Sequence, residues 1–142
     1  MPIMLARGIG GYLLLTAAVV FLTFIITPLI HDGSPEYPYW QVINHFMALG
    51  ALIMLALTFL NRWRLDPEAT DNYTCAIASF LFYGSVILVM LFFWEYFWQL
   101  NPESETGDAV TSHIIFFPIV DALYVVFGLI IGERLLRMKP EE

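Results

Sequence analysis

Cysteine is nearly missing from this chain. Cys75 stands alone, so no intrachain disulfide can form and a multi-cysteine structural zinc site is excluded. Cations are scarce as well, with six Lys and Arg against thirteen Asp and Glu and a formal net charge of −7. That balance, without any basic motif, leaves nothing to engage nucleic acid. A phosphate-cradling glycine loop, a nucleophile elbow, an internal repeat and a low-complexity linker are all absent from the sequence. Charge of either sign is low, at 13% of 142 residues, while 59% are hydrophobic. With a mean hydropathy of +0.72, this composition lies outside the range of soluble domains.

The few charges fall in short clusters, and four long apolar runs separate them. Residues 8–30 carry no charge and match the ~20 helical residues needed to cross hydrocarbon. Further spans are expected at about 39–60, 73–98 and 109–132. The last contains His113 and Asp121, so it spans only if those groups face protein or water. Strands are excluded because they would have to close into a barrel, and alternating ten-residue segments are missing. The expectation is an all-α, integral membrane four-helix bundle forming a single transmembrane domain over residues 1–142. The first run is longer than a signal-peptide core, and Pro28, Leu29 and Ile30 offer no small-residue cleavage site, so it is expected to be retained.

Orientation follows from the cations. Arg7 precedes the first span, Arg62 and Arg64 lie between the second and third, and Arg134, Arg137 and Lys139 follow the fourth. The other two loops carry only acids, Asp32 and Glu36, then Glu103, Glu105 and Asp108. Trp40, Trp94, Tyr96 and Trp98 form an aromatic belt on that side. The positive-inside rule therefore predicts both termini in the cytoplasm, N-in and C-in.

Chemistry, if the chain has any, lies among the intramembrane polar residues, each of which costs free energy unless satisfied. At ~100° per residue, Tyr12, Thr16, Thr23, Thr27 and His31 lie near one face of the first span. Gln41, Asn44, His45 and Ala48 cluster on the second. Asp121 shares a face with Gly128 and Gly132, a small-xxx-small pair that lets another helix approach closely. Glu95 returns to nearly the face of Gly84 and is expected to look inward.

His31, His45, Glu95 and His113 come from four different spans and sit within ~10 Å of the same interface, given a rise of ~1.5 Å per residue. Imidazole and carboxylate suit zinc, copper or iron, and two histidines from different helices would hold a haem. No His-x-x-x-His or Glu-x-x-His pattern on one helix supports such a site. The bland alternatives are an end-cap for His31, hydrogen-bonded glue between helices for His45 and His113, and snorkelling for Glu95. A metal centre requires His45 and His113 to face the bundle interior. Asp121 is harder to dismiss, since no basic residue of the chain shares its depth; it must be protonated, hydrogen-bonded or paired from elsewhere.

Three functions from different classes follow. The first expectation is an accessory or structural subunit of a larger complex, with other integral membrane subunits and the lipid bilayer as its partners. A redox or metal-dependent protein using the His and Glu cluster with haem or a metal ion is the second. The third is a component of a proton or solute pathway through Asp121 and Glu95.

Overall fold

The computed structural model describes residues 2–30, 38–66, 68–101 and 108–138, with every side chain among them except those of Pro38 and residues 108–114. The described chain is all-helical: α1 Ile3–Ile30, α2 Pro38–Arg64, α3 Asn72–Leu100 and α4 Asp108–Leu136. All four are long and apolar enough to cross a membrane. Each expected span lies inside its helix, with α1, α2 and α4 each running at least a turn further at the arginine-bearing end. The extension costs little. Arginine is a good helix former, and terminal carbonyls beyond the hydrocarbon can be satisfied by water.

The start of α3 has an explicit cap. Asp71 is extended, at φ −62° and ψ 149°, and its carboxylate accepts the backbone N–H of Thr74 at 2.9 Å. One of the orphan donors of the first turn is thereby satisfied.

The helices pack as two extensive antiparallel pairs, α1 with α4 and α2 with α3, joined chiefly through α3 against α4. Lipid tails are as apolar as leucine, so burial alone does not hold membrane helices together; close packing and polar contacts do. The α1–α4 seam shows how. A β-carbon on Gly132 would stand 3.0 Å from the Gly10 carbonyl oxygen, one on Gly10 2.9 Å from the Gly132 carbonyl, and one on Gly128 3.1 Å from the Ala17 β-carbon. The small-xxx-small face of α4 therefore receives α1 of the same chain. Inside, Leu13, Val20, Met47, Met54, Leu88 and Val120 fill the core around Tyr124. Outside, large apolar side chains such as Leu15, Leu52, Phe80 and Leu129 stay exposed, which suits hydrocarbon and not water.

This architecture gathers Arg7, Arg62, Arg64, Arg134 and Arg137 at one end of the bundle, since consecutive helices run in opposite directions. Trp40, Trp94 and Trp98 lie at the other end. Lys139, His31 and the acidic loop residues Asp32, Glu36, Glu103 and Glu105 lie outside the described residues.

Candidate functional site: a buried polar column

Polar side chains in the interior come from all four helices. Asn44 of α2 is 2% exposed and donates its amide N–H to Oε1 of Gln99 on α3, at 2.6 Å. Glu95, one turn before Gln99 on α3, is 1% exposed. Asp121 of α4 is 5% exposed and lies one turn from Tyr124, which is fully buried. The placement follows from the sequence. Asn44, Met47, Ala51, Met54 and Thr58 recur at helical spacing along the inner face of α2, and Leu81, Ser85, Leu88, Phe92 and Glu95 do so on α3.

At the centre a hydrogen-bond chain crosses three helices. Thr16 gives its hydroxyl proton to the Tyr12 carbonyl at 2.9 Å, leaving Thr16 Oγ1 to accept from the Tyr124 hydroxyl at 3.0 Å. Tyr12 in turn donates its hydroxyl to the Phe46 carbonyl of α2 at 2.7 Å. Gly50 makes room for this junction, because any β-carbon there would collide with the Tyr124 hydroxyl. Nearer the arginine end, Ser85 and Thr58 return their protons to carbonyls of their own helices, Leu81 at 2.8 Å and Met54 at 2.8 Å. Interhelical polarity among the described residues thus runs from the aromatic end to mid-bundle, and only self-satisfied hydroxyls lie beyond it.

Asp121 differs from the rest of the column. Among the described residues no N–H or O–H donates to its carboxyl and no cation pairs with it. It lies on the α1-facing side of α4, about two and three turns before Gly128 and Gly132. The inward placement of Glu95 and Asp121 and the close packing at Gly128 and Gly132 agree with the sequence pattern.

The histidines fare differently. His45 is exposed on the outer side of α2, its Nδ1 is 2.6 Å from the Gln41 carbonyl oxygen, and its ring meets Tyr96 edge-on at 5.7 Å. His45 therefore does not face the interior, as a metal centre would require of it. Asn44 holds the inward position, and the next residue on a helix is turned ~100° away from it. Gln41 is exposed for the same reason, so the polar group of Gln41, Asn44, His45 and Ala48 is split between the inside and the outside of the bundle. His31 and the His113 side chain lie outside the described residues, and no group of three potential ligands gathers among the described ones. Tyr124, Gln99 and Gly50 escaped sequence reasoning. Gly50 and Tyr124 were each visible as an exception, a glycine and a phenol on otherwise apolar faces, but nothing in one sequence pairs them.

No known family model matches the chain, and no curated protein or solved structure is detectably similar to it.

Proposed function

We propose that the chain is an accessory, structural subunit of a larger membrane complex, crossing the bilayer four times with both termini in the cytoplasm. The observation that carries this reading is the half of α1 nearest the aromatic end. From Phe21 to Ile30 no residue is buried, and Leu29 is 82% exposed. A helix belonging wholly to its own bundle keeps a buried stripe along its length. Over about three turns this one keeps only the half-buried Thr23 and Thr27, the latter accepting from Trp40 of α2 at 3.3 Å, and leaves the rest as a surface available to another integral membrane subunit, while lipid bilayer covers the remaining apolar faces. The clustering of the arginines at one end supports the orientation.

Photo-crosslinking residues introduced at Leu22 and Leu29 test the proposal in native membranes. The expected product joins this chain to a second integral membrane protein that also co-purifies with it in mild detergent. Crosslinks to lipid alone, with the chain purifying by itself, would overturn the reading.

A second reading is favoured by Asp121 specifically. A buried carboxyl in mid-helix suits a proton carrier, with Glu95 a second buried carboxyl nearer the aromatic end. As a passive element a largely buried carboxyl costs stability, because an apolar interior disfavours the charged form. Asp121→Leu should then raise the thermal midpoint and leave the complex assembled. If Asp121→Asn instead abolishes proton uptake by proteoliposomes containing the intact complex, the carrier reading holds and the purely structural one falls.

A further inference from the structure

An apolar groove of about 390 Å³ runs between α2 and α3 on the outer surface, lined by Leu52, Leu55, Ala56, Phe59, Phe82 and Val86. It follows the two helices for about two turns towards the arginine end. Phe59, in its wall, stacks on Trp63 with ring centroids 5.8 Å apart and the planes 29° from parallel. Phe59 also meets Phe82 across the groove at 5.9 Å. Just beyond lies Arg62, half-buried, on the α3 side of α2, and then the exposed Arg64.

We propose that this groove is a binding site for one glycerophospholipid of the leaflet at the arginine end, with an acyl chain along the groove and its phosphate on Arg62. Two independent features point to that ligand. The groove offers an apolar, elongated, lipid-facing slot that no side chain among the described residues fills, which suits an acyl chain and excludes a polar metabolite. At its mouth stand Trp63 and the half-buried residue Arg62, whose planar guanidinium fork matches phosphate oxygens. Tryptophan and arginine at that depth mark the headgroup level of a bilayer. The carboxylates nearby are partly committed elsewhere: Asp66 accepts the Glu68 N–H at 3.0 Å and Asp71 accepts the Thr74 N–H at 2.9 Å. Together with Glu68 they keep the local charge mixed, so phosphate recognition rather than net headgroup charge is what the site provides.

The test uses the full chain in nanodiscs of phosphatidylethanolamine and phosphatidylglycerol, containing a trace of phosphatidylglycerol with a diazirine in one acyl chain. Labelling is expected to concentrate on residues 52–59 and 82–86. Arg62→Gln should lower it about fivefold, the effect of one cation at a membrane surface, and Arg62→Lys, which keeps the charge but not the planar fork, should restore only part of it. Ala56→Trp, at an exposed position, should remove the label from the groove but not from α1, with an unchanged thermal midpoint showing that the fold survives. Labelling spread evenly over all lipid-facing positions, or indifferent to both Arg62→Gln and Ala56→Trp, would overturn the site and leave only ordinary solvation by lipid.

Discussion

Asp71 shows what one side chain contributes at the start of a long apolar helix. Hydrogen bonds from Thr74, through its side chain and then its backbone, hold the Asp71 carboxyl below its ordinary value of 3.8. A depressed value in the folded state stabilises the helix start above the unfolded value, and that contribution is lost as pH falls through the folded one. Amide-exchange protection factors at Tyr73 to Ile77, with the intrinsic pH dependence of exchange divided out, should therefore be high at neutral pH and fall below about pH 3.8, the unfolded reference. Asp71→Ala should show the faster exchange at every pH, and Asp71→Ser should restore protection without the pH dependence. Equal exchange in all three proteins would mean that the cap does not hold the first turn. The same scale shows how far a sequence pattern reaches. Asp121 and Glu95 were legible as inward because each shares a face with glycines, and a small face is a packing face. The polar set on α2 was not resolved, since Gln41, Asn44, His45 and Ala48 spread over about 100° of the helix, wide enough to straddle the boundary between core and surface.

Helix existence and extent were legible from hydrophobic runs because the bilayer fixes a minimum length that no soluble helix has to meet. Pairing was not. Gly128 and Gly132 announce that some helix comes close, but only the structure identifies it as α1, through Gly10 and Ala17. The reason is physical: a flat glycine surface specifies a distance of approach and carries little information about its partner. The seam makes a sharp prediction. Because the Gly10 carbonyl oxygen lies only 3.0 Å from where a β-carbon on Gly132 would stand, Gly132→Leu must push α1 off α4. Overpacking of this kind costs about 1–3 kcal/mol, and the loss of the Thr16 to Tyr124 contact adds roughly 0.6. Unfolding of purified protein in bicelles should report that loss, whereas Leu129→Ile, on the exposed side of the same helix, should be neutral. A Gly132→Leu protein as stable as the parent would show that α1 and α4 do not meet there.

For the whole molecule, charge and aromaticity fix an axis that helix packing alone leaves undirected. Alternating helices bring the described arginines to one end and the tryptophans Trp40, Trp94 and Trp98 to the other, whichever way the bundle is inserted. Direction comes from the cost of translocating Lys and Arg, which is counted over short loops like these and to which acids contribute little. Because every cation lies on one side in the sequence, no competing signal opposes insertion with that side in the cytoplasm. The single native thiol lets this be measured cleanly. In a Cys75→Ala background, Ser104→Cys should react with a membrane-impermeant maleimide on intact cells, and Glu68→Cys only after permeabilisation. Both positions belong to connections between helices, so neither reagent has to enter hydrocarbon to reach its thiol. Labelling of Glu68→Cys on intact cells, with Ser104→Cys protected, would reverse the orientation and with it the compartment facing the aromatic end, where Asn44, Gln99 and Glu95 sit. Reaction of both thiols on intact cells would mean that the chain inserts in two directions, an outcome that this one-sided distribution of arginine and lysine argues against.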